Sequence, residues 1–102
     1  MKVTFKRLPK ATGLAGIAYP HQSVEIKLKR KQIGTIHAPN AFSGNQGWKI
    51  VFMVLCEPSK ENPSGWKWIT LKNQYDTEEE AREYVQKVIR LISKRHTFRS
   101  EE

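Results

Sequence analysis

The spacing of apolar residues along this chain changes once, at Thr77, and that change constrains the fold more than any other feature. After Thr77, residues Ala81, Tyr84, Val85, Val88, Leu91 and Ile92 recur at helical spacing. Thr77-Glu78-Glu79-Glu80 reads as a capping box, with Asp76 and Glu79 as an equally good frame. Acids crowd the first turn, and Arg90, Lys94 and Arg95 the last, which suits the helix dipole. The spacing predicts a helix over 77–95. Before Thr77 the pattern is that of strands. Val24-Glu25-Ile26-Lys27-Leu28-Lys29 alternates, with Val24, Ile26 and Leu28 facing in. Arg30-Lys31-Gln32 reads as a turn, and residues 33–38 return as the second strand of a hairpin. A two-residue turn would bury Ile33 and a three-residue turn Ile36, so the register stays open. Residues 48–56 are apolar on both faces, as in a central strand covered on both sides. Residues 65–72 form a fourth strand. The sequence predicts an α+β fold: a four-stranded antiparallel β-meander with one C-terminal helix packed on one face, a two-layer sandwich.

A chain of 102 residues is one domain with a modest core. Residues 1–23 read as an N-terminal basic arm in which 1–7 can make a short edge strand. Residues 24–95 read as the ββββα domain, and 96–102 as a polar tail. The sole cysteine, Cys56, sits in an apolar run and reads as an inert core thiol. Lys2, Lys6, Arg7 and Lys10 precede the apolar stretch 13–18, which is too short for a secretory signal and is closed by Pro20. The expectation is a soluble, cytoplasmic protein with no membrane partner.

Net charge is segregated. Residues 1–60 carry ten Lys/Arg against Glu25 and Glu57, whereas residues 61–102 balance eight against eight. A one-signed field over part of a small domain attracts polyanions, and nucleic acid is the commonest. The candidate phosphate-binding residues are Lys6, Arg7 and Lys10 on the arm and Lys27, Lys29, Arg30 and Lys31 on the first hairpin. Lys49 and Lys67, each beside a tryptophan, would extend the footprint along the sheet. The plainer reading of the same residues is a solvated surface. Alternation puts Trp66 and Trp68 on one face of their strand, and Trp48, Ile50 and Phe52 on one face of theirs. These aromatics either face the helix as core, with Trp66 and Trp68 expected to be largely buried, or face away as a platform for stacking bases.

Catalysis and cofactors find little support. Asp76 is explained by a helix start, and His21, His37 and His96 lack metal-ligand spacing. Gly13-x-x-Gly16 and Gly44-x-x-Gly47 lack the lysine and helix of a phosphate loop. No enzyme activity, metal or cofactor is expected.

The strand Trp66-Lys67-Trp68-Ile69-Thr70-Leu71, followed by Thr77-Glu78-Glu79-Glu80-Ala81 opening a helix, resembles the plant ethylene-response-factor domains, over residues 48–92. Integrase arm-binding domains are similar in layout. The resemblance implies a sheet face laid on duplex DNA. The arginines of that family's sheet face are absent, and Lys27, Lys29, Lys49 and Lys67 would have to replace them. The layout also resembles single-strand-binding transcription coactivators that dimerise through the helix. In general character the chain resembles small phage or mobile-element proteins. The resulting expectation is non-catalytic nucleic-acid binding through a basic hairpin and arm, with DNA favoured over RNA. The alternative is a protein-binding adaptor or inhibitor acting as a homodimer.

Overall fold

A computed structural model of the chain describes residues 2–10, 12–14, 21–40 and 47–99. Five strands are present: β1 (Thr4–Arg7), β2 (Val24–Leu28), β3 (Lys31–His37), β4 (Trp48–Leu55) and β5 (Trp66–Tyr75). One long helix, α1 (Glu78–Arg95), follows. The strands form one antiparallel sheet in the order β1-β2-β3-β4-β5. The α+β class and the C-terminal helix are as the sequence predicts. The expected four strands become five, because Thr4–Arg7, in the stretch that can make a short edge strand, pairs along β2 at the sheet edge. Most of the Gly- and Pro-containing part of the expected arm lies outside the described residues.

α1 begins where the capping box predicts. Thr77 is the N-cap, and its Oγ1 accepts from the Glu80 amide at 3.2 Å. The return bond differs from the expected one: the Glu80 carboxylate accepts from the Asp76 amide at 3.3 Å. The Thr77–Glu80 frame is therefore the one that caps the helix, and Asp76 enters it through its amide. Ala81, Val85, Ile89 and Ile92 are buried against the sheet, while Leu91, expected on the apolar face, is exposed. Helix and sheet enclose one core of Val24, Ile26, Ile36, Ile50, Phe52 and Val54 with these helix residues.

The β2–β3 hairpin resolves the open register. Its turn is Lys29-Arg30, one residue earlier than expected, and Leu28 pairs with Lys31. Ile26 pairs with Gly34 and Lys27 with Gln32, so Ile33 is the extra residue of a bulge. The bulge lets both Ile33 and Ile36 enter the core, each fully buried. Lys29 and Arg30 both have positive φ, 52° and 68°. This is the two-residue turn that matches strand twist and normally takes Asn-Gly, because side chains with a Cβ are strained there. Replacing the pair, Lys29→Asn/Arg30→Gly, is expected to stabilise the protein by about 1 kcal/mol, read as a higher urea midpoint with unchanged slope. A lower midpoint would contradict the strained turn.

The C-terminal residues are the second departure. The sequence marks 96–102 as a polar tail outside the domain, but Phe98 is fully buried and bridges Val54 of β4. The Leu55 amide donates to the Thr97 carbonyl at 2.7 Å, and the Phe98 ring lies 5.8 Å from that of Phe52. The tail thus adds a short rung beside β4.

Candidate nucleic-acid interface

α1 covers one face of the sheet and leaves the other free of it, although Thr35, Val51 and Met53 on that other face are buried. Cross-strand register assigns side chains to that helix-free face, because directly opposed residues point the same way. Lys6 opposes Glu25, which opposes Thr35, then Val51, then Thr70. Two residues further along the strands, on the same face, Lys27 opposes Gln32 and Met53 opposes Trp68. His37 opposes Lys49, and Leu55 opposes Trp66. The tryptophans therefore divide. Trp48 is buried on the helix side, where His21 packs against it with ring centroids 5.8 Å apart. Trp66 and Trp68 lie on the helix-free face. The expectation that both are largely buried fails for Trp68, which is 50% exposed.

Three contacts hold the indole pair in place. Trp66 and Trp68 meet edge to face, 5.4 Å between centroids and 73° between planes. The Arg99 guanidinium, carried by the tail that Phe98 anchors, lies 4.2 Å from the Trp66 ring centre, a cation–π contact. Asn62 Nδ2 donates to the Trp66 carbonyl at 2.7 Å and to Cys56 Sγ at 3.5 Å. Cys56 is half-buried just beyond β4, not deep in the core as expected.

The predicted phosphate-binding residues fall into three groups. Lys6, Lys27 and Lys49 share the helix-free face, and Arg99, which sequence reasoning missed, joins them beside Trp66. Among the described strand residues pointing this way, Glu25 is the one acid. Lys29, Arg30 and Lys31 sit exposed at the hairpin tip. Arg7, Lys10 and Lys67 go elsewhere. Arg7 binds Glu78 of the helix through Nε at 3.3 Å and Nη2 at 3.2 Å. The hydrogen bond and charge of Glu78 raise the Arg7 pKa above its usual value. Arg82 reaches the same Glu78 carboxylate at 2.9 Å, so two cations share one nearly buried acid. Lys10 lines a cavity of about 450 Å³ beside the helix start, together with Arg7, Asp76 and Glu79. Its mixed charge does not favour a polyanion. Lys67 opposes Val54 and so points to the helix side of β5.

The His37 side chain is exposed by area, but the loss of water around its ring at the sheet, and then the charge of Lys49, push its pKa below the usual value. The unfolded chain therefore takes up this proton first as pH falls. The stability that neutral His37 represents is complete above about pH 6.5 and is lost as pH falls through its folded-state value. His37→Gln is expected to flatten the fall in stability below that pH, followed by urea unfolding at stepped pH. Unchanged slopes would remove His37 from the balance.

No family model, curated protein or solved structure matches this chain. Among the described residues no group of three or more His, Cys, Asp or Glu side chains is arranged to hold a metal ion. No described helix is long and apolar enough to cross a membrane.

Proposed function

We propose that this is a small non-catalytic nucleic-acid-binding protein, and that it holds its polymer on the helix-free face of the sheet and the tip of the β2–β3 hairpin. The observation that carries this reading is charge placement. Lys6, Lys27, Lys49 and Arg99 lie on that face, where Glu25 is the one acid among the described strand residues, and Lys29, Arg30 and Lys31 crown the adjacent tip. The acids of the helix start, Glu78 to Glu80, belong to the opposite layer. A polyanion approaching this face meets mostly cations, and each neutralised phosphate releases counterions. The strained turn supports the same reading. Two cations occupy positions where Asn-Gly would be relaxed, which is the pattern of a site that gives up stability for function.

The test is a titration with DNA and RNA at two salt concentrations. For a duplex, the slope of log affinity against log salt should shrink by about 0.9 for each phosphate that is no longer neutralised. Lys27→Ala/Lys29→Ala/Lys31→Ala should therefore flatten it by roughly two to three, while Arg7→Ala, already committed to Glu78, leaves it near the wild-type value. Absence of binding near physiological salt, or a triple variant that binds like wild type, refutes the proposal. A second reading, a homodimeric adaptor, is favoured by the half-exposed Trp68 beside Met53. It requires a stoichiometric protein partner that survives nuclease treatment.

A further inference from the structure

We infer that the ligand of the helix-free face is single-stranded, with an unpaired base stacking on Trp68. This rests on the nucleic-acid reading above and sharpens it. Trp68 is 50% exposed, yet its ring is positioned edge to face by Trp66. Trp66 is itself engaged by Arg99 at 4.2 Å. The pair is a preorganised platform in which Trp68 is the ring left open. Across the strand Met53 is buried, and Leu55 and Trp66 one row on are half-buried, so the apolar surface offered to a base is chiefly the Trp68 ring. Lys27 on β2 and Trp68 on β5 both lie two residues from the Glu25–Thr35–Val51–Thr70 row, toward the same end of the sheet. Strands are spaced about 4.8 Å apart, so β2 and β5 stand roughly 14 Å from each other. A single strand crossing that end of the sheet would meet the hairpin cations on one side and the indole on the other.

A duplex fits this surface poorly. Its bases are stacked on one another, and their faces are not available to an indole. The major groove is about 12 Å wide and admits a helix or a two-stranded ribbon, not the flat of a five-stranded sheet. An aromatic platform among cations is instead the arrangement used for single strands, where every base has a π-face to offer. Sequence preference is expected to be slight, since stacking and lysine contacts read little of the base edges.

The test uses the full chain against a twelve-nucleotide oligo(dT), its oligo(U) counterpart and a DNA duplex of equal length, with tryptophan emission and anisotropy as readouts. The single strands should bind at least tenfold more tightly than the duplex and quench tryptophan emission. Trp68→Ala should weaken single-strand binding roughly 5- to 150-fold, leave duplex binding unchanged, and keep the wild-type circular dichroism. Trp68→Phe should keep most of the affinity. If Trp68→Ala affects single strand and duplex alike, or affects neither, the stacking inference fails while nucleic-acid binding stands. If no polymer binds and the protein sediments as a dimer that Trp68→Ala dissociates, both readings fail and the face is a contact between copies.

Discussion

Phe98→Ala should lower the stability of this protein by about 3–5 kcal/mol. The ring is fully buried and stacks at a tilt on Phe52, and its backbone pairs with Val54. Truncation leaves a cavity at the end of the core and unties the rung that carries Arg99. Small domains hold about 5–15 kcal/mol in total, so the loss is a large share. Urea unfolding measures it. Leu91→Ala is the contrast: Leu91 is 51% exposed and should change stability by no more than about 0.5 kcal/mol. Similar losses for the two variants would show that the tail is not part of the core. Phe98→Ala should also raise the accessibility of Trp66 to iodide, because the guanidinium over its ring departs with the tail.

Gly34→Ala should be nearly as costly. A Cβ built there would sit 2.3 Å from the Val51 carbonyl oxygen and 3.2 Å from the Phe52 Cα. Both are backbone atoms of β4, and neither can swing away as a side chain would. Relief requires β3 and β4 to separate beside the bulge that buries Ile33. Overpacking against backbone falls at the upper end of the usual range, about 3 kcal/mol. For a domain of this size that lowers the melting temperature by roughly 12–24 °C. Calorimetry is the check, and a shift of a degree or two would mean that β3 and β4 have room for a methyl group between them.

The elements of this fold are legible in the sequence, and several of their relations are not. Alternation and run length mark β2 to β5, and the Thr77 box marks the start of α1 to within a residue. Alternation cannot see a bulge, so it forces a choice between Ile33 and Ile36 that the chain does not make. Phe98 is a single aromatic in a polar stretch, and no periodicity announces a rung made by one residue. β1 is only four residues long and polar on its outer face. The split of the tryptophans follows from Met53 opposing Trp68, a pairing across two strands that no pattern within either strand contains. The charge segregation is visible from composition, but the ion pair that removes Arg7 joins residues far apart in the chain. Arg99 belongs to the half with zero net charge, so composition offers no reason to select it.

Strand order across the sheet is the order of the strands along the chain. Every ladder is therefore a hairpin or a longer antiparallel return, and no strand waits for a remote sequence to insert beside it. The search for the native arrangement reduces to closing successive neighbours, with one longer closure when α1 and the tail reach back over β4. Fold speed tracks how local the contacts are. A sheet of this size built with crossovers would condense slowly and expose its edges meanwhile. This one is expected to zip from its tightest turn, so that the lysine–arginine tip, strained in the finished molecule, is also the point from which the sheet begins to grow.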